Sequence, residues 1–441
     1  MNKLTYIATA VALALSASQA FAGDSASQSQ YGTNNNASID QVTYTGDLRY
    51  AYQYQNGSDN TATAVQEGTS QSSGQYQYLS TANTASVEQS GSGNSSRQFQ
   101  GYNYDGTTYT YGASSNSVAT TVQSGSDNSS ETYQIGDNNQ VTTTQSGTAN
   151  SSVTTQNGND NVANATQSAS DNTSNVTQAG DANFASTFQY GTNSDSTVSQ
   201  SGLGNTSYTT QGASDSSASA SQSGTANGSF LVQYGNTQTA SIAQTGDSNY
   251  AYSYQTGDSN TASTTQTGNS NSSTTWQQSS GNSANVTQTG DGNYSLVDQY
   301  YGPSTNGTAT VNQNGTGNRS NIAQTGTGNS ASATVGSAGY NVGNNNTSDI
   351  EQIGDSNTAS TYVGYGDGNT ATIAQTGNSN RAYTTQYYDG NDATITQTGD
   401  SNYASAYQYG YTNVASITQT NSGDSASSYQ NGTSNIATIM Q

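Results

Sequence analysis

Glutamine recurs in this chain with a fixed beat. From Gln123 to Gln299 a glutamine falls every 11 residues, 17 of them in one phase. A second run with the same spacing goes from Gln375 to Gln441. Between glutamines the spelling is Gln-x-Gly-x-x-Asn-x-Ala-x-x-x-Gln, as in Gln255, Gly257, Asn260, Ala262 and Gln266. A short period held over a whole chain specifies stacked copies of one small unit, each touching only its neighbours. A globular core, which brings distant segments together, is not built this way. The function of such a chain is expected to lie in the stacking.

Composition narrows what the stack is made of. Only 29% of the 441 residues are hydrophobic, against roughly 45–50% in an ordinary domain. Two states are compatible with so polar a chain: disorder, or an interior whose polar groups are all hydrogen-bonded. Proline decides between them. Pro303 is the single proline, whereas disordered low-complexity chains are rich in it. Strands exclude proline because it lacks the N–H that a ladder needs. With 33 tyrosines and abundant threonine, the chain is expected to be β-structured.

Each unit divides into a strand and a turn. In Asn369-Thr-Ala371-Thr-Ile373-Ala-Gln375, the residues Asn, Ala, Ile and Gln fall at every second position and share one face. Thr376-Gly377-Asn378-Ser379 then reads as a turn. The inward position two after alanine alternates in bulk: Ile373, Thr384, Ile395, Ala406, Ile417, Ser428, Ile439. The lean halves often carry outward tyrosine, as at Tyr403 and Tyr407 or Tyr250, Tyr252 and Tyr254. The true period is therefore two units. The expected fold is all-β: a two-sheet parallel β-solenoid of stacked 22-residue strand-turn-strand-turn coils. About 35 units give roughly 17 coils and a rod on the order of 80 Å at the strand spacing of ~4.7–4.9 Å.

Stacked copies place identical residues in ladders, where a buried amide bonds to the copies above and below. The ladders singled out for polymerisation are Gln255, Gln266, Gln375, Gln386, Gln397, Gln408 and Gln419, with Asn260, Asn369, Asn380, Asn402 and Asn413, and Ile373, Ile395 and Ile417. The repeats run from Gln30 to Gln441 with no capping segment at their end, an expectation that favours end-to-end addition over a monomer.

The organisation along the chain is simple. Lys3, the apolar stretch Ile7–Leu15 and Ala20-Phe21-Ala22 read as a secretory signal over 1–22, cleaved after an A-x-A site formed by Ala20 and Ala22. A short segment, 23–29, precedes the repeat solenoid of 30–441. The beat is broken by an insertion at 101–111 and by shorter extras at Val42–Thr43, Tyr300–Tyr301 and Gly336–Tyr340, with Pro303 beside the third of these breaks.

With those residues in view, the repeat resembles the curlin repeat of curli amyloid fibres of Gram-negative bacteria. Close matches are Gln244-Thr-Gly-Asp-Ser-Asn249-Tyr-Ala251 running to Gln255, and Gln397-Thr-Gly-Asp-Ser-Asn402-Tyr-Ala404 running to Gln408. The first unit, from Gln30 through Asn35 and Ala37 to Gln41, is similar too. The chain carries several times more repeats than curlins typically do. The resemblance implies a secreted subunit that polymerises into extracellular fibres on the cell surface, serving biofilm matrix, adhesion and aggregation. It implies a homopolymer as the main partner, with a nucleator subunit and an outer-membrane secretion channel. The last unit has no basic residue, which fits a main subunit rather than a nucleator.

Other classes find little to stand on. No cysteine or histidine is present, and Lys3 is the one lysine, so an enzyme is not expected. No cofactor or metal is expected either. A formal charge of −22 opposes nucleic acid and anionic membranes, and no membrane insertion is expected. Asp247, Asp258, Asp291 and Asp400 sit in turns, where carboxylates cap backbone N–H groups. Calcium β-roll repeats have nine residues and a Gly-Gly-x-Gly spelling, which this chain lacks. The alternative reading is a monomeric secreted β-solenoid, acting as an adhesin or as an ice binder through outward threonines such as Thr370 and Thr372.

Overall fold

The structure is a computed structural model that describes residues 24–42, 48–104, 109–212, 214–300, 304–336 and 343–441. The signal segment 1–22, with Ala20 and Ala22, lies outside the described residues, as do Thr43, Tyr301, Pro303 and 337–340.

The chain winds into a two-sheet parallel β-solenoid of about 18 coils, with no helix among the described residues. Each coil gives one strand to each sheet. In the coil around residue 250, Thr239–Thr245 belongs to the first sheet and Tyr250–Thr256 to the second. Thr239–Thr245 pairs with Thr261–Thr267 of the next coil, and Tyr250–Thr256 with Ser272–Gln277. The register is in phase with the repeat: Ala240 faces Ala262, and Gln244 faces Gln266. Both sheets are open ladders. They run from Ser25–Thr33 and Asn36–Val42 to Ser425–Thr433 and Ile436–Met440.

One boundary differs from the sequence reading. Ser25–Ser29, set apart there from the repeats, opens the first strand and pairs with Tyr50–Tyr54. That half-unit lacks the Asn spelling because Asp24 stands at the asparagine position. It completes a first coil, which is why the count exceeds 17. The insertion is partly described: Tyr102–Tyr104 and Tyr109–Tyr111 form an antiparallel hairpin outside the stack. The ladders pass it undisturbed, with Gln89 bonded to Gln123 and Gln100 to Gln134.

The turns depend on glycine. Gly246 has φ +110°, and a Cβ there would lie 2.2 Å from the Gly268 carbonyl oxygen of the next coil. Only glycine combines that dihedral with so close an approach. Turn aspartates act differently from the local caps expected. Asp247 Oδ1 accepts the Thr225 N–H of the preceding coil at 2.8 Å, and Asp291 does the same for Asn269 at 2.7 Å. Asn269 in turn accepts from Asp247 N–H. Asparagine thus often separates stacked carboxylates, as in Asp247–Asn269–Asp291 and Asp355–Asn378–Asp400. Where two do stack directly, Asp367 and Asp389, they sit on the exposed turn.

The core is thin, so facing strands must share its volume. From Ala333 onward the first sheet is lean and the second bulky, as the sequence implied: Thr361 opposite Ile373, Thr384 opposite Ile395, Ala406 opposite Ile417. Upstream the sheets trade roles. Ile242 of the first sheet lies in the same coil as Ser253 of the second, whereas Ala220 shares its coil with Leu231. In these coils a large side chain meets a small one, which fills the thin interior; elsewhere two bulky residues share a coil, Val286 with Val297 and Val311 with Ile322.

Candidate functional site

The chemistry of the interior is in columns of amides. Each ladder glutamine sits at the end of an alternating strand, where period 2 turns it inward beneath the turn. Gln255 shows the pattern. Its Nε2 donates to Gln277 Oε1 at 2.8 Å and to the Thr239 carbonyl at 3.1 Å, while its Oε1 accepts from Gln233 at 3.0 Å. Two of these three bonds lie between coils. The second-sheet column runs without a break from Gln41 to Gln441, through Gln375, Gln397 and Gln419.

Asparagines form a second set of columns with the opposite sense. Asn413 donates both its backbone N–H and its Nδ2 to Asn391 Oδ1 of the coil before it, each at 3.0 Å. Its Nδ2 also reaches the Gly432 carbonyl of the coil after it at 3.0 Å. One side chain therefore ties three coils. Asn369, Asn380 and Asn402 donate their backbone N–H groups to Asn346, Asn357 and Asn380 in the same way. Asn260 binds the Ser279 carbonyl and accepts from Asn282 N–H. Glutamine-to-glutamine bonds thus donate toward the C-terminus, and asparagine-to-asparagine bonds toward the N-terminus.

All the glutamines, asparagines and isoleucines singled out in the sequence are buried. Ile373, Ile395 and Ile417 form one continuous column, while the others divide between the two sheets. Gln266, Gln386 and Gln408 belong to the first-sheet column, which is not continuous. Val335 and Val363 replace glutamine there. Gln313 meets the gap by donating to Ser320 Oγ at 3.1 Å. Gln386 does not: its Oε1 is buried without a hydrogen-bond partner.

Sequence reasoning missed three features. A further glutamine column joins Gln28, Gln53, Gln75 and Gln98; the doubled spelling Gln-x-Gln was its visible trace. Arg49 occupies an asparagine position, buried, and pairs with Asp24 at 3.4 Å. The Val335–Val363 gap was visible only as two missed beats.

Outside the sheets, aromatic rings form columns of their own. Tyr76, Phe99 and Tyr133 stack at 4.9 Å on the first sheet, Tyr208 and Phe230 at 5.2 Å on the second, and Tyr407 and Tyr429 at 5.2 Å on the first again. The tyrosines on lean strands, Tyr250, Tyr252, Tyr254, Tyr403 and Tyr407, take part in such surfaces. Burial, then the neighbouring Tyr50 and Tyr52, raises the Tyr76 phenol above its ordinary value. Burial does the same at Tyr252, followed by Tyr254, Tyr250 and Tyr234. A shallow cleft of about 290 Å³ opens among Tyr52, Tyr54, Tyr76, Tyr78, Tyr102 and Tyr111. No group of three acidic or metal-binding side chains able to hold a metal occurs among the described residues. Among them, too, no helix is long and apolar enough to cross a membrane.

Coils that repeat one pattern and bond through side-chain amides define a structural repeat protein, a parallel β-solenoid. The family model for the curlin associated repeat matches residues 169–202, 213–246, 238–268, 257–290, 343–377 and 366–399. The chain is a curlin-family protein. A search of curated proteins finds no match.

Proposed function

We propose that the chain is a secreted structural subunit that polymerises into extracellular curli-like amyloid fibres on the surface of a Gram-negative bacterium. The fibres serve as biofilm matrix and in surface adhesion and aggregation. The chain acts without catalysis. Its partners are further copies of itself, a nucleator subunit, and an outer-membrane secretion channel that follows removal of 1–22.

The observation that carries this reading is the amide ladder: second-sheet glutamines bond coil to coil without a break from Gln41 through Gln255 and Gln397 to Gln441. In-register amides of this kind pair between copies of a coil in different chains as they do within one. The test is assembly of residues 23–441 from denaturant at low micromolar concentration. Fibres with a ~4.7–4.8 Å meridional repeat that seed their own growth support the proposal. A soluble β-rich monomer that never elongates refutes it.

A further inference from the structure

Tyrosines crowd one turn beside the first sheet, and two of them touch through their hydroxyls. Most coils open their turns with glycine, and Gly366 and Gly410 do so in the coils on either side of Tyr388. Tyr388 takes the glycine place between them, with φ +70°. A bulky residue in the left-handed region is strained. The stack holds it there: Tyr388 N–H donates to the Tyr365 carbonyl of the coil before at 2.6 Å. The ring then lies against the coil after. It packs on Tyr411 at 5.3 Å and meets Tyr409 edge to face, at 5.0 Å and 86°. The Tyr388 and Tyr409 hydroxyls are hydrogen-bonded at 3.0 Å. Tyr409 and Tyr411 are exposed and Tyr388 is half-exposed, so small oxidants reach all three.

This contact differs from the ring columns. Tyr407 and Tyr429 stack almost parallel, at 5.2 Å and 10°, so their ring carbons face one another across the full strand spacing. In a phenol the oxygen sits between the two ortho carbons. Hydroxyls in contact therefore bring the ortho edges of two rings together, and those are the carbons at which phenoxyl radicals couple. The chain has no cysteine, so no thiol quenches such a radical and no disulfide joins the coils.

We propose that Tyr388 and Tyr409 form an oxidative cross-linking site, coupled to dityrosine by hydrogen peroxide acting through a haem peroxidase. Each phenol gives up one electron and one proton. The two radicals combine, and a C–C bond forms between an ortho carbon of each ring. The hydrogens on those carbons move to the two oxygens, which restores both phenols. The two electrons and two protons released reduce one hydrogen peroxide to two waters. The hydrogen bond between the hydroxyls gives the first proton a place to go. That bond, with the nearby Tyr409 ring next, also raises the Tyr388 phenol above its ordinary value, so electron and proton leave together. The product closes a covalent ring through neighbouring coils, as a disulfide does in chains that carry cysteine. The site needs one chain only, so it stands whether or not the chain forms fibres.

The experiment is limited oxidation of the folded full chain with a haem peroxidase and hydrogen peroxide, with isotope-labelled and unlabelled chains mixed. Cleavage before aspartate places Tyr388 in peptide 367–388 and Tyr409 in peptide 400–423. These two peptides joined, lighter by two hydrogens and carrying a single label, are expected to exceed any other tyrosine pair on the order of tenfold, through proximity. In denaturant the same dose is expected to spread over many pairs. Tyr388→Phe and Tyr409→Phe keep the rings and the fold but each abolish the product. Tyr407→Phe and Tyr411→Phe, altered on the same peptide as Tyr409, keep it. Joined peptides no more abundant than in denaturant, joined peptides of mixed label, or an unchanged yield in Tyr388→Phe or Tyr409→Phe overturn the site.

Discussion

Gln255→Val removes one rung from the unbroken column, and the structure supplies its own control. Valine already stands in the first-sheet column at Val335 and Val363, so the backbone accommodates it. The loss is in the partners. Gln277 Oε1 loses its 2.8 Å donor, and one Gln233 N–H loses its 3.0 Å acceptor. At the natural gap Gln313 turns to Ser320, seven residues on; seven residues after Gln233 stands Ala240, which offers no hydroxyl. Two buried orphans at ~1–3 kcal/mol each, partly offset by the apolar gain of valine, leave a net loss of about 2–4 kcal/mol. In a repeat array that loss is local, because each coil touches only its neighbours. The assay is amide hydrogen exchange of the assembled protein. Protection in Gly228–Gln277 is expected to fall roughly 30-fold or more, since ~1.4 kcal/mol is a factor of ten, while coils around Gln397 stay unchanged. A fall below about threefold in that window, or an equal fall along the whole rod, refutes the view that the amide column carries cohesion between coils.

Closing the natural gap should show the converse: Val363→Gln alone only moves the orphan carbonyl one coil, whereas Val335→Gln with Val363→Gln joins Gln313 to Gln386. Thermal midpoints are therefore expected to rise in the double variant beyond the sum of the singles, and simple additivity would contradict the ladder. Ile395→Asp buries an unpaired charge in the continuous isoleucine column and is expected to stop fibre growth in a seeded assay, while Tyr403→Ser, on the outer face, slows it little; equal effects would reverse the assignment of inside and outside. Raised phenols at Tyr76, Tyr252 and Tyr387 set an alkaline limit. These groups are harder to ionise folded than unfolded, so their contribution is complete below the ordinary tyrosine value of about 10 and is lost as pH rises through the folded values. A circular-dichroism titration should show loss of β-signal only above that point, and a loss starting near pH 8 would contradict it.

Much of this fold was legible because its order is translational. A residue that bonds to its own copy leaves a periodic trace, and Gln375, Gln397 and Gln419 could be placed in one column from spacing alone. Period 2 then decided that Ile395 points in and Tyr403 out. What was hidden depends on relations between unlike residues. Nothing in the spacing says that Arg49 enters the asparagine column, because its partner Asp24 lies in a half-unit too degenerate to read. The exchange of bulk between sheets, Leu231 opposite Ala220 but Ile242 opposite Ser253, was hidden because the facing residues lie on different strands and share no ladder. The turn aspartates do cap backbone N–H groups, but those of the matching turn one coil earlier, 22 residues away, which the spacing alone did not specify.

The distribution of bonds within a rung also bears on how such a chain folds. Gln255 makes one amide bond inside its own coil, to Thr239, and two to other coils. Asn413 likewise draws its acceptors from the coils before and after. A single coil therefore closes with most of its buried amides unpaired, at ~1–3 kcal/mol for each, and its thin core offsets little of that. Isolated coils are unstable, and each becomes stable when a neighbour supplies the other half of its ladders. By this rule a coil is stable only against a neighbour in register, so order spreads from coil to coil. The opposed senses of the glutamine and asparagine columns make that register directional. A coil offered upside down presents donors to donors in the glutamine column and acceptors to acceptors in the asparagine column, so an end that accepts a coil in one orientation rejects it in the other.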